Sequence, residues 1–282
     1  MTRNSNLHDL TIVVNTCDAY HDVLDVFFYA LEDFWADCPH PLVINAESRV
    51  YTHAAWTHHH NNPAGTDDWG ARLRATLSAI DSKFVMVLYD DFILDAPVSN
   101  ERVQQALDLL KAQPSAAVAY LHDTNLRLSC TETDELLITI KDRVDYRLNS
   151  APAIWRREAL IEYTEPGDTP WAWEVFGTYR TWCDGRVFYS LNPKYDDIYS
   201  FNHKKGGAIY RGKWVREVVE CVAQKYPLNI DWTLRGFSSD TVYEKRSLRW
   251  KLQFMQTGFR MVGFKAIYFV IHSVRNKING RP

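Results

Sequence analysis

The feature that most constrains the fold is an apolar run, KFVMVLY at residues 83–89, which follows a helical pattern and ends in Asp90 and Asp91. Both faces of the run are apolar, as in the central strand of a parallel sheet that helices cover on both sides. Ligands of open α/β sheets bind at the carboxyl ends of the strands. The run therefore predicts an α/β fold with a binding site at the two adjacent carboxylates.

The elements on either side of this run repeat the alternation of strand and helix. Asp67 is predicted to cap the helix before the run, and Ser99 or Asn100 the helix after it. The pattern predicts strands at 10–15, 41–45, 83–89 and 115–121, and helices at 22–35, 69–80 and 101–113. This order predicts a mostly parallel sheet flanked by helices.

The second half of the chain is irregular and rich in aromatic residues. Strand-like pieces occur at 136–141 and 186–191, and Trp155 lies between them as either a core or a ligand-lining residue. A helix is predicted at 213–225, and residues 228–244 are predicted to be a linker.

Composition favours a globular protein in a reducing compartment. The chain of 282 residues has ten Trp and fifteen Tyr, and its five cysteines are scattered without a Cys-x-x-Cys pair. The N-terminus lacks the apolar core of a signal peptide, and no uncharged stretch is long enough to span a bilayer. We therefore expect a cytoplasmic protein.

Charge is distributed unevenly between the body and the end of the chain. All 35 acidic residues lie at or before Glu244, whereas nine of the 32 basic residues follow it, so the body carries 23 − 35 = −12 and the tail +9. An acidic body argues against nucleic-acid binding, and a basic tail predicts an anionic partner, of which a phospholipid surface is the simplest.

The tail also has an apolar pattern. A helix over 246–272, broken near Gly258 or Gly263, would place Arg246, Arg249 and Arg260 opposite an apolar stripe. The stripe consists of Leu248, Leu252, Met255, Phe259, Val262, Ala266 and Phe269. A basic amphipathic helix is typical of a membrane interface, here the inner face of the plasma membrane, but the stripe could equally pack on the body or on a second subunit.

Over about residues 8–215 the chain resembles the GT-A-fold glycosyltransferases, especially family-two-like bacterial enzymes of surface polysaccharide and lipopolysaccharide synthesis. The resemblance rests on TIVVNTCDAY, WGARLRATLSAIDSKFVMVLYDDFIL, RLNSAPAIWRREAL and WAWEVFGT. It implies a Rossmann-like nucleotide-sugar-binding half at 1–121, an acceptor-binding half at 122–227, and a linker and tail at 228–282.

The resemblance also implies roles for individual residues. Thr16 and Asp18 would line the base and ribose of a nucleotide-diphosphate sugar, with help from Glu47, and Arg72 would approach the base or diphosphate. Asp90 and Asp91 match the metal motif of the family. The chain departs from the usual Asp-x-Asp at Tyr89, which makes metal dependence less secure than nucleotide binding.

The chemistry of a sugar nucleotide explains why such a pair is needed. The leaving group is a diphosphate, whose charge a carboxylate-held Mg²⁺ or Mn²⁺ neutralises through hard oxygen ligands. The alternative is that Asp90 and Asp91 only cap a turn.

An inverting transfer also needs a base that takes the proton of the acceptor hydroxyl. Glu174 is the first candidate, since the rings of Trp171 and Trp173 beside it could stack on a sugar and raise the proton affinity of the carboxylate. Asp168 is the second candidate. The alternative is that Glu174 only stabilises the start of a helix after Pro170.

A basic, glycine-containing segment at 199–214 is suited to a loop over phosphates. His203 is a candidate metal ligand, and Arg211 a candidate for the diphosphate, as are Lys204 and Lys205, which are otherwise solvated loop residues. The three histidines at 58–60 are predicted to be loop residues without function, because neighbours in sequence seldom point at one metal.

The sequence thus predicts a glycosyltransferase that moves a sugar from a nucleotide donor to a hydroxyl of a polysaccharide or lipid-linked glycan, with inversion. One alternative is a sugar-1-phosphate nucleotidyltransferase, although the segment NTCDAYHD after the first strand lacks the glycine-rich phosphate loop that this chemistry needs. The other is a catalytically silent nucleotide-sugar-binding protein at the membrane.

Overall fold

An eight-stranded mixed sheet forms the centre of the protein. The computed structural model describes residues 9–52, 58–60, 65–126, 133–203, 206–228, 230–238 and 247–278. The strands of the sheet lie in the order β3-β2-β1-β4-β7-β5-β8-β6. Their bounds are β1 Leu10–Asn15, β2 Leu42–Asn45, β3 His58–His60, β4 Phe84–Tyr89, β5 Ala116–Tyr120, β6 Leu137–Thr139, β7 Ala153–Arg156 and β8 Val187–Leu191.

The first half of the sheet is parallel, as the alternation of strand and helix predicts. β1 pairs in parallel with β2 and β4, and β5 pairs in parallel with β8. β7 was not predicted, and it inserts antiparallel between β4 and β5, with Met86 opposite Ile154. β6 is antiparallel to β8 at the edge of the sheet. A small hairpin of β9, Ile209–Tyr210, and β10, Lys213–Trp214, lies apart from the sheet.

Helices cover both faces of the sheet and bury its apolar side chains in two core clusters. One cluster joins the even-numbered residues of β1, such as Ile12, to α1 and α3. The other joins Val13 of β1 and Val85 of β4 to α2 and α4. The helices are α1 His21–Trp35, α2 Trp69–Ala79, α3 Asn100–Ala112, α4 Arg157–Tyr163, α5 Pro170–Val175, α6 Arg216–Lys225, α7 Leu248–Val262 and α8 Ile267–Ile278.

Side-chain caps begin several of these helices. Ser99 caps α3, as predicted, by accepting the N–H of Arg102. The cap of α2 is Asp68, which accepts the N–H of Ala71, and the prediction of Asp67 was wrong by one residue. The predicted helix at 213–225 begins only at Arg216, because Lys213 and Trp214 pair with β9.

The sheet corrects the prediction for the three histidines and decides between the two alternatives for Trp155. Residues His58–His60, predicted to be a loop, form the edge strand β3, in which His58 lies opposite Leu42 of β2. An edge strand has a partner on one side only, so it needs no apolar run to form. Trp155 lies in β7 and is fully buried, so it is a core residue.

The tail forms two helices that pack on α5 and the 3-10 turn after it. α7 ends at Gly263, which has φ +58. This is one of the two positions near which the break was predicted. The predicted apolar stripe is divided, because Leu248, Leu252 and Phe259 are exposed whereas its other members pack on the body. The packed side consists of Phe254, Met255, Met261, Val262, Ala266 and Phe269 against Val175, Phe176 and Tyr179. No helix in the described residues is long and apolar enough to cross a membrane.

The packing of α7 on Phe176 depends on one glycine. A Cβ at Gly258 would lie 2.5 Å from Cε1 of Phe176, whose ring is fully buried and cannot move aside. We expect Gly258→Val to destabilise the docked tail by about 1–3 kcal/mol, because the added methyl groups overpack this contact. The measurement is the thermal midpoint together with the rate at which a protease releases the tail. Gln256→Val, at an exposed position of the same helix, is the control, and equal behaviour of the two variants would contradict the packing described above.

Candidate functional site

A large cleft opens at the carboxyl ends of β1, β2 and β4. Its volume is about 1290 Å³. One wall consists of residues that follow these three strands, and the opposite wall consists of α5, α7 and α8. The turn between β9 and β10, with Arg211, closes a third side. The cleft lies where the topology of the sheet places a ligand.

The acidic pair lies at the floor of the cleft. Asp90 is 3% exposed, and its Oδ2 accepts a 2.5 Å hydrogen bond from the Thr16 hydroxyl. The backbone carbonyl of Asp91 accepts the N–H of Ala208 at 2.7 Å. Gly207, with φ +104, lies so close to Asp91 that a Cβ would be 3.1 Å from Oδ2. The loop after residue 206 therefore packs directly on the second carboxylate.

Burial raises the pKa of both carboxyl groups. The pKa of Asp90 is raised mainly by desolvation and then by the negative charge of Asp91, and only partly offset by the Thr16 hydrogen bond and Arg235. Desolvation also raises the pKa of Asp91. The guanidinium of Arg235 is itself bound by Asp22. A buried and a partly buried carboxylate with so little compensating positive charge form a site that favours a cation.

The residues of this floor fit a divalent ion that also binds phosphate. Within the described ranges, no group of three or more His, Cys, Asp or Glu side chains is arranged to hold a metal. Mg²⁺ is commonly held by one or two carboxylates and completed by phosphate oxygens and water, which is what Asp90 and Asp91 could offer. The metal-ligand roles of Asp90, Asp91 and His203 remain predictions.

Arg72 brings positive charge to the same cleft. It is 2% exposed, yet it lines the cleft. Its Nη2 donates to the Thr16 carbonyl at 3.0 Å, and Nη1 lies 3.4 Å from Glu47 Oε1. Nε and Nη1 have no hydrogen-bond acceptor. Buried guanidinium donors without acceptors are costly, so this side chain is prepared for an acceptor-rich ligand.

Asp18 holds the loops of this wall together and is not among the residues lining the cleft. Its carboxylate accepts the N–H groups of Ser48 and Arg49 at 3.0 and 2.9 Å, and its own N–H donates to Glu47 at 2.8 Å. The hydrogen bonds from Ser48 and Arg49 lower the pKa of Asp18. Asp18 thus braces these loops, whereas Thr16, Glu47 and Arg72 line the cleft. The nucleotide contacts of all four residues remain predictions.

Asn15 is a cleft residue that sequence reasoning missed. Its Oδ1 accepts the Asn45 amide at 2.7 Å, and Asn45 in turn accepts the hydroxyl of Thr76 at 3.0 Å. The Nδ2 group of Asn15 has no partner and is buried at the cleft. The available signal was that two otherwise apolar strands, LTIVVN and LVIN, both end in asparagine.

Glu174 lies in the same cleft on the opposite wall. Thr169 caps the short helix α5, so Glu174 is in its second turn and does not stabilise its start. The carboxylate accepts the N–H of Ser150 at 2.6 Å, and burial raises its pKa. The pKa of the partly buried Tyr89 hydroxyl is raised mainly by desolvation, and then by the negative charges of Glu174 and Asp91. The two walls thus meet electrostatically at Tyr89.

The other predicted catalytic candidate has a structural role. Asp168 is buried, and Arg180 binds both of its oxygens at 2.5 and 2.9 Å. It also accepts the N–H of Glu165 at 2.9 Å. Trp173, predicted to flank the base, is in the core and donates to the Tyr163 carbonyl. Neither residue lines the cleft.

The basic segment is divided between the cleft and another cluster. Arg211 lines the cleft, where its guanidinium lies 5.3 Å from the ring centroid of Tyr210. His203 instead stacks on His122 at 5.7 Å, and its Nδ1 lies 3.7 Å from Asp197 Oδ2. Lys204 and Lys205 lie outside the described residues.

Aromatic rings of α5 and α7, which are distant in sequence, form part of the wall opposite the acidic pair, and we call this part the aromatic wall. Trp171 of α5 stacks on Phe254 of α7 with centroids 4.1 Å apart, and Trp250 lies 5.1 Å from both. Trp171 is 44% exposed, and all three rings line the cleft. Such a surface suits the apolar faces of sugar rings. Sequence reasoning did not place the tail in the site.

The comparisons with known proteins concern the fold. No protein-family model matches the chain, and no curated protein matches its sequence. Among solved structures, the chain is similar to S. aureus TarS, with a TM-score of 0.50 and 13% identity over 95% of this chain and 54% of that one. A structure of TarS 1–349 with UDP-GlcNAc gives 0.46 and 12% over 97% and 93%, and an active-site mutant of LgtC gives 0.32 and 13% over 54% and 59%. The likeness to TarS confirms the predicted GT-A-like fold.

The uncompensated charge at the floor predicts that removing a carboxylate stabilises the metal-free protein. A raised folded-state pKa means that stability is full below the unfolded-state pKa and is lost as pH rises through the folded-state pKa. In EDTA at pH 8, we therefore expect Asp90→Asn to raise the thermal midpoint by about 2–4 °C, and to raise it less at pH 5. The amide can still accept the Thr16 hydroxyl.

Asp168→Asn is the matched control, because it changes a buried carboxylate that is paired with Arg180. Breaking that pair should lower stability by about 3–5 kcal/mol. A loss of stability in Asp90→Asn at pH 8 similar to that of Asp168→Asn would contradict the described electrostatics.

Proposed function

We propose that the protein is a glycosyltransferase that moves a sugar from a nucleotide-diphosphate donor to a hydroxyl group of a glycan, with inversion at the anomeric carbon. The observation that carries the proposal is the sharing of one cleft by two kinds of carboxylate. Asp90 and Asp91 lie at the floor of the cleft, which the buried cation Arg72 also lines, and Glu174 lies on the opposite wall with Trp171, Trp250 and Phe254. The first group is suited to a diphosphate and the second to an acceptor.

The donor is proposed to bind along the carboxyl ends of β1, β2 and β4. The Nε of Arg72 and the Nδ2 of Asn15 have no hydrogen-bond acceptor, and oxygen atoms of a nucleotide diphosphate would accept from them. Asp90 and Asp91 would hold Mg²⁺ or Mn²⁺, which when bound neutralises the charge of the departing diphosphate. Arg211, on the turn that closes the cleft, is placed to meet the same charge.

The acceptor is proposed to lie against Trp171, Trp250 and Phe254. A Glu174 carboxylate oxygen takes the proton of the acceptor hydroxyl while the hydroxyl oxygen forms its bond to the anomeric carbon. The bond from that carbon to the diphosphate breaks on the opposite side, so the configuration inverts. The Ser150 N–H donates to the other oxygen of the Glu174 carboxylate. The raised pKa of Glu174 makes this carboxylate a stronger base.

The alternative functions are distinguished by their products. A nucleotidyltransferase would release pyrophosphate from a nucleoside triphosphate, whereas a glycosyltransferase releases a nucleoside diphosphate. After β1 the chain forms a 3-10 turn at Asp18–Tyr20 without glycine, which does not favour a phosphate loop at that point. A silent binding protein would release neither product.

Nucleotide binding tests the donor half of the proposal. We expect one nucleoside diphosphate from a panel of UDP, GDP, CDP, ADP and dTDP to raise the thermal midpoint, more strongly with Mn²⁺ than in EDTA. A nucleotide at 100 times its Kd stabilises the folded state by about 2.7 kcal/mol. Asp91→Asn should abolish the Mn²⁺-dependent part of the shift. The control is Asp95→Asn, an exposed carboxylate that binds Ser200 outside the cleft. A panel without any shift in the wild type counts against the proposal.

Turnover tests the base. Glu174→Gln should keep the nucleotide-induced thermal shift and reduce sugar transfer by at least about 100-fold, because the amide cannot accept the proton. Glu162→Gln, at an exposed ion pair with Arg186, should leave turnover unchanged. Near-normal turnover in Glu174→Gln, or a product with retained configuration, would remove Glu174 from the mechanism.

A further inference from the structure

The outer side of the tail helices carries large apolar side chains that no described residue covers. Phe264 is 85% exposed, Leu252 is 72% exposed and Ile271 is 51% exposed. We call this area the tail surface, and it consists of Leu248, Leu252, Phe259, Phe264, Ile267, Ile271 and Val274. Exposed apolar areas of this extent mark an interaction site.

Charge identifies the kind of partner. The segment after Glu244 has nine basic residues and no acidic one. Arg249, Arg260 and Arg275 are exposed on the same two helices as the tail surface. Apolar side chains mixed with bases and without acids match the interface of a bilayer with anionic lipids, where both burial and charge favour binding. A second copy of this chain would bring a second set of like charges.

The tail surface is continuous with the rim of the cleft. On α8, Val270 and Val274 are about half exposed and also line the cleft. On α7, Met255 lines the cleft one turn away from Leu252 and Phe259. A bilayer against the tail surface would therefore lie at the aromatic wall, beside Trp171 and Trp250.

From this geometry we infer that the tail surface docks on an anionic bilayer, and that the acceptor is a glycan attached to a membrane lipid, which enters the cleft along α8. The assignment of the acceptor rests on the proposed glycosyl transfer, whereas bilayer docking does not. A short apolar part of the lipid would lie against Val270 and Val274, and the hydroxyl of the glycan would reach Glu174.

Vesicle flotation tests docking with the full chain. We expect it to float with vesicles of 70% phosphatidylcholine and 30% phosphatidylglycerol, and not with phosphatidylcholine alone. Phe264→Ser with Ile271→Ser should weaken flotation at least about tenfold, because each change removes a large apolar group that docking would bury. Arg249→Glu with Arg260→Glu should weaken it at low salt. Leu234→Ser, at a residue 74% exposed outside the tail, should have no effect.

Several results would overturn docking. They are no flotation with the anionic vesicles, equal flotation with neutral ones, or unchanged flotation of the Phe264→Ser, Ile271→Ser variant. A lipid-free dimer in sedimentation that this variant dissociates would also overturn it, since the tail surface would then be a contact between two copies. Nucleotide-induced thermal shifts are measured in parallel, so a failure of docking is distinguishable from a failure of the proposed function.

Brominated lipid tests whether the cleft faces the bilayer. Anionic vesicles with bromine on the acyl chains should quench part of the tryptophan emission, and Trp171→Phe with Trp250→Phe should remove most of the quenched part. Trp232→Phe, at a partly buried residue outside the cleft, is the control. If the double variant is quenched as strongly as the wild type, the cleft does not open at the lipid surface and the lipid-linked acceptor is wrong.

Discussion

The structure depends on how the fold treats two buried carboxylates in opposite ways. Asp168 has both oxygens bound by Arg180, so its charge is compensated and it holds α5 against the tail. Asp90 has one short hydrogen bond from Thr16 and the negative charge of Asp91 beside it. Burial without compensation costs stability. This cost falls at the cleft, which is where a cationic ligand would remove it.

The elements that are local in sequence were predictable, and those that depend on distant pairing were not. β1, α2 and β4 follow from their periodicity and caps, and the position of Asp90–Asp91 at a strand end follows from them. β7 was missed because its identity as a strand depends on pairing with β4 and β5. Asp168 was a plausible base in the sequence because its ion pair could not be predicted. The turn after α5 brings Arg180 to it, and this contact is visible only in the structure.

The tail shows the same limit. The charge and apolar content of the tail could be predicted from the sequence. The side that packs on the body could not, because Gly263 divides the tail into two helices. Phe176 selects the packed side by requiring a glycine at 258. The aromatic wall then follows, since Phe254 is held against Trp171 in the same packing. A cleft wall built from α5 and α7 could not be derived from either segment alone.

Glu174 is therefore tied to the tail through the helix that carries it. α5 has only six residues, too few to be stable alone, and its buried residues Ala172 and Val175 pack in the cluster that includes Phe254 and Phe269. The side of α5 that bears Glu174 faces the cleft, and the N–H of Ser150, in the segment before β7, donates to the carboxylate. The position of the proposed base thus depends on contacts with both this segment and the tail. The tail helices, which we propose dock on a membrane, thus also hold the proposed acceptor side of the cleft in place.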